Sequence, residues 1–160
     1  MTRTILATLL LCAFCLVGTQ AAAQDYPRRE PVTLPPDAKA IFLAQMLGHM
    51  VSLDAIVVAL GEGDHAKAAE IADTELGVAR FQKAGNGQSK DEGPGLGIGQ
   101  HLPEEFRAIG RRFREASSDF AALARSLPEE PSPEQHVMLM KGLSQITNQC
   151  RICHDSYRIE

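Results

Sequence analysis

The last apolar stripe of the chain carries two thiols. Leu139, Leu143, Ile146, Cys150, Cys153 and Tyr157 are spaced 4, 3, 4, 3, 4, the recurrence of one face of an α-helix. Such a stripe is the face a helix buries, so Cys150 and Cys153 are turned toward a helical interior. Ser132-Pro133-Glu134-Gln135 opens this helix with an N-cap, a first-turn proline and a capping-box glutamine.

Three further helices precede it. The first is expected from an Asp37 N-cap to about Leu60, with Leu43, Met46/Leu47, Met50, Leu53, Val57 and Leu60 recurring every three or four residues. Gly61-Glu62-Gly63-Asp64 reads as a turn and N-cap. A second helix then runs from about His65 to Lys83, with Ala68/Ala69, Ala72, Leu76 and Ala79 on one face. The third begins near Pro103, where Glu104 and Glu105 complement the helix dipole. Its stripe, Phe106, Ile109, Phe113, Ala116, Phe120, Leu123 and Leu127, is spaced 3, 4, 3, 4, 3, 4. Ala84 to Gln100 carries six glycines; without a preceding strand or a following Lys-Ser/Thr it is a flexible crossover, not a phosphate loop. No segment shows strand alternation. Short first and last connections and a longer middle one predict an all-α chain folded as an antiparallel four-helix bundle.

Cys150-Arg151-Ile152-Cys153-His154 is a C-x-x-C-H, the attachment pattern of a c-type haem. Thiols three positions apart lie on one side of a helical turn, where each can bond one vinyl group of the same porphyrin. The next residue, His154, is placed to give the iron its proximal nitrogen. A thioredoxin-like C-x-x-C would open a helix within a βαβ pattern; here the pair closes a helix. The cofactor expected is one haem c per chain, buried because both thiols share the core stripe.

The expected compartment agrees. Residues 1–23 read as a secretory signal: Arg3 is their only charge, Ile5 to Val17 is apolar, and Ala21-Ala22-Ala23 supplies small residues before Gln24. The apolar run is too short to span a bilayer. Cys12 and Cys15 lie within it and leave with it, so the expected mature chain keeps only the C-x-x-C pair. A disulfide closing so short a loop would stabilise little. Residues 24–36 are a Pro-rich extended leader and 37–160 the helical domain. Without residues 1–23 the charge is −5 with His neutral, which argues against nucleic acid and anionic membrane as partners.

With these features the chain resembles the class II cytochromes c, meaning cytochrome c prime and its low-spin six-coordinate relatives. The resemblance covers about Pro36 to Glu160 and rests on Cys150, Cys153, His154, Tyr157 and Arg158. A looser match is the run Met46-Leu47-Gly48-His49-Met50 leading to Leu53, Ala55-Ile56 and the Gly63-Asp64 turn. It implies thioethers at Cys150 and Cys153, proximal ligation by His154, and positive charge from Arg158 one turn beyond. It also implies a first-helix side chain at the sixth iron position: Met46, Met50 or His49 as ligand, or an open site beside Leu43. Among the other histidines, His65, His101 and His136 are expected to be solvated. Arg111, Arg112 and Arg114 form a solvated face from which one could pair with a haem propionate.

Two functions follow from this reading. With His and Met as axial ligands the potential is raised, which suits a soluble periplasmic carrier of single electrons, exported through the Sec pathway, with periplasmic redox proteins as partners. With an open distal side the protein would bind NO or CO. No other group is arranged for proton or group transfer, so an enzyme is not expected. The oligomeric state, monomer or homodimer, stays open.

Overall fold

The computed structural model describes residues 28–80 and 97–160, and these are mostly helical. A short strand β1 (Glu30–Val32) leads into α1 (Pro36–Gly61). The helix α2 (His65–Ile71) runs on into a π-helical turn (Ala72–Leu76). A 3-10 turn (Ile98–His101) precedes α3 (Glu104–Ser126), α4 (Pro133–Ser156) and a final strand β2 (Tyr157–Ile159). The part of the glycine-rich crossover before Gly97, and the expected signal segment, lie outside the described residues.

Local chemistry explains the helix starts. Ser132 Oγ accepts from the Gln135 N–H (3.3 Å) while Gln135 Oε1 accepts from the Ser132 N–H (2.7 Å), so the predicted capping box of α4 is present. Asp64 caps α2 through Lys67 N–H (2.8 Å), and Gly63 supplies the left-handed φ of 78° that the preceding turn needs. Pro35, not Asp37, holds the N-cap position of α1; Asp37 sits inside the first turn, where its charge complements the dipole.

The second helix is interrupted where its periodicity suggests continuity; helix resumes at Ala79 and Arg80, and residues 81–83 of the expected span lie outside the described residues. After Ile71 the backbone widens into the π turn, and Asp73 reaches α3: Arg125 Nη2 donates to Asp73 Oδ2 (2.9 Å). Ser118 Oγ accepts from Val78 N–H at 3.0 Å. Gly77 breaks the helix at a close approach, since a Cβ there would lie 2.7 Å from Ser118 Oγ and 2.9 Å from the Asp73 carbonyl. These contacts, with Ser118 and Arg125 forty or more positions away, override a locally helical sequence.

Two apolar clusters organise the helices. The larger joins Ile56 of α1, Ala69 of α2, Phe113 and Phe120 of α3, and Leu139 and Ile146 of α4. α3 packs along α4 and also against α2 and the π turn; the main neighbours of α1 are α2 and the π turn. The smaller cluster joins Val32, Leu34, Phe42, Ile98 and Phe106. The stripes expected for α3 and α4 face these clusters, with Phe106, Ile109, Phe113, Phe120, Leu139 and Ile146 buried.

α1 turns only part of the expected stripe inward: Met46, Leu53 and Leu60 pack against the clusters. Phe42, Ile56 and Ala59 are buried, whereas Leu43, Leu47 and Met50 are 50, 67 and 64 % exposed. Residues of α1 are apolar all round, with a mean hydropathy of 1.8 in its most apolar stretch, so periodicity does not select a face. By length and composition alone, α1 is the one helix among the described residues long and apolar enough to cross a membrane.

The strands were not foreseen. β1 and β2 pair in parallel, Glu30 with Tyr157, Pro31 with Arg158 and Val32 with Ile159, and Glu160 N–H donates to the Val32 carbonyl (3.0 Å). With three residues each they are too short for alternation to register.

Candidate functional site

α4 delivers the C-x-x-C-H in its last two turns. Cys150 and Cys153 are unpaired and half-buried. Cys150 packs against the larger apolar cluster, and its Sγ lies 3.7 Å from the Ile146 carbonyl as a weak donor. Cys153 packs against the smaller cluster, as do Met46 and Tyr157. The pair thus borders both clusters at once. His154 is exposed on the same terminal turn.

The electrostatics separate this pair from a redox dithiol. Burial pushes the Cys150 thiol up, and burial together with the charge of Cys150 pushes Cys153 up to about 11. A catalytic C-x-x-C needs a depressed thiol pKa, supplied by a helix N-terminus or nearby cation. These thiols sit instead at a helix C-terminus, whose carbonyls disfavour a thiolate. Among the described residues, no three His, Cys, Asp or Glu side chains gather as a metal-ion site. Two free thiols at i and i+3, apolar walls on both sides and a following imidazole fit a covalently held haem.

The sixth-position candidates fall into two groups. Met46 is half-buried within the cluster that holds Cys153. His49 is half-buried and stacked on Phe113, with ring centroids 4.9 Å apart and planes at 28°. Burial, reinforced by Arg80 and Arg114, pushes its imidazole down to about 4, so it is neutral at pH 7. Met50 and Leu43 point away from both clusters.

Other expectations need correction. α4 stops at Ser156 and Tyr157 is extended (φ −130°, ψ 155°), so Tyr157 does not continue the helical stripe and Arg158 lies in a strand, not a helical turn beyond His154. Tyr157 still faces inward, 4.9 Å from the Phe106 ring, but Arg158 pairs with Glu160 (2.8 Å). His65 is buried rather than solvated and meets His136 edge to face at 5.9 Å. His101 and His136 are exposed, as expected. Sequence reasoning also missed a groove of about 330 Å³ between α3 and α4, lined by Arg112, Asp119, Gly142, Gln145 and Gln149, where the buried Gln149 Oε1 has no partner among the described residues.

Compared with protein-family models, curated proteins and solved structures, the chain matches none.

Proposed function

We propose that this chain is an exported c-type cytochrome that carries single electrons. In this reading its helices form an antiparallel four-helix bundle around one haem c. Cys150 and Cys153 would hold the cofactor through thioethers, with His154 and Met46 as the side chains that would bind its iron. When bound, the haem iron supplies the one-electron couple. The observation that carries the proposal is the pair of free, half-buried thiols at i and i+3 at the end of α4, immediately before His154.

The protein side of such a carrier is positioning and exclusion of water. Phe42, Phe106 and Tyr157 wall the Cys153 side, and Phe113 and Ile146 belong to the cluster on the Cys150 side. Apolar walls raise the cost of charge on the iron and limit solvent reorganisation when it changes oxidation state. Met46 packs against the same cluster as Cys153, which supports a six-coordinate carrier over the gas-binding alternative.

One preparation tests the reading. Protein purified from a periplasmic fraction should begin at or near Gln24 and retain its haem through acid–acetone extraction. Its ferric and ferrous spectra should be low-spin. Haem that extracts completely from wild type would end the cytochrome reading; high-spin spectra with ready CO binding would transfer it to the gas-binding class.

A further inference from the structure

The leader is more than a linker. β1 lies 127 positions before β2 in the chain, yet the two pair in register, and the ladder ends in the Glu160 N–H to Val32 carbonyl bond at 3.0 Å. Val32 and Leu34 are buried to 4 and 5 % exposure, in the cluster shared with Cys153 and Tyr157. Only Asp155 and Ser156 separate His154 from β2. The leader therefore ties down the segment that immediately follows the expected proximal ligand.

We infer that β1 is a strap that belongs to the proposed haem site, with Val32 and Leu34 as positioning residues that seal the Cys153 side and fix the tail after His154. This role rests on the cytochrome reading; the strap itself does not. Its control is one-sided. Cys153 packs against the cluster that holds Val32 and Leu34, whereas Cys150 packs against the larger cluster, which the strap does not touch. Releasing the strap admits water and reagents to Cys153 and loosens the turn carrying His154, while Cys150 keeps its surroundings.

The two cysteines make an internal control. The full chain, purified after export, is compared with Val32→Ser/Leu34→Ser, with the conservative Val32→Ile/Leu34→Met, and with Leu139→Ala as a perturbation of the larger cluster. Amide exchange is read first, at residues 157–160, whether or not haem is present. The serine variant should speed exchange there roughly tenfold or more, and the conservative variant should restore it. In haem-loaded protein the reduction potential should shift in the serine variant and return in the conservative one; Leu139→Ala, in the other cluster, should leave exchange at 157–160 unchanged. If the wild type carries no haem, the cytochrome reading fails and the strap is judged by iodoacetamide trapping. Cys153 should then react roughly tenfold faster in the serine variant, with Cys150 changed less than about twofold. Equal acceleration of both thiols, or unchanged tail exchange, would overturn the strap. An unmoved potential in loaded protein would overturn its positioning role.

Discussion

Acid should weaken this fold through one residue on the inner face of α1. His49 is half-buried against Phe113, and its pKa is lowered from 6.5 to about 4, first by burial and then by Arg80 and Arg114. The unfolded chain therefore binds more protons than the folded one between those two values, so stability rises with pH across that window. The contribution is fully present above pH 6.5 and is lost as pH falls toward 4. Integrated for this single site, the loss is about 0.8 kcal/mol at pH 6, about 2 kcal/mol at pH 5 and about 3 kcal/mol in full.

Carboxylates also titrate below pH 5, so the measurement must be a difference. Urea unfolding of wild type and His49→Leu at pH 7, 6 and 5 separates the two sources, because leucine keeps an apolar contact with Phe113 and has no proton to gain. Wild type should lose about 2 kcal/mol more than the variant between pH 7 and pH 5. Parallel stability curves for the two proteins would show that His49 is not held neutral by this environment. The absorption spectrum recorded alongside reports whether His49 also touches the iron.

Two further substitutions test the site and the core. Met46→Ala should change the ferric spectrum, lower the potential and open the iron to CO, whereas Met50→Ala, at an exposed position, should leave the spectrum intact and shift stability by less than about 0.5 kcal/mol. Phe120→Ala removes a ring that is 1 % exposed in the larger cluster and should cost roughly 3–5 kcal/mol in denaturant unfolding.

Legibility in the sequence follows the range of the interactions involved. α3 and α4 are plain because charged residues interleave their apolar ones and their start signals lie within four positions of the first turn. The thiol pair is plainer still, being chemistry confined to five consecutive residues. Features set by distant partners are hidden. The π turn depends on Ser118 and Arg125, and the end of α4 at Ser156 depends on a strand that precedes α1. Extending the helical period to Tyr157 placed that ring on the inner side for the wrong reason: it reaches Phe106 from a strand.

The sixth position shows why a strong pattern can still fail to decide. α1 carries two stripes of almost equal quality, Leu43, Leu47, Met50 and Val57 on one side, and Phe42, Met46, His49, Leu53, Ile56 and Leu60 on the other. Both recur at helical spacing and both are largely apolar, so hydrophobicity does not choose between them. What chooses is tertiary packing: Phe42 stacks edge-on to Phe106 at 5.7 Å, and Ile56 is wholly buried among the helices. Once these two fix the rotation of α1, Met46 and His49 turn inward together, and Leu43 and Met50 turn away. For the proposed haem, Met46 brings a thioether to the cluster against which Cys153 packs, whereas the neutral imidazole of His49, the rival ligand, is already stacked on Phe113. The Met46→Ala and His49→Leu spectra decide between them.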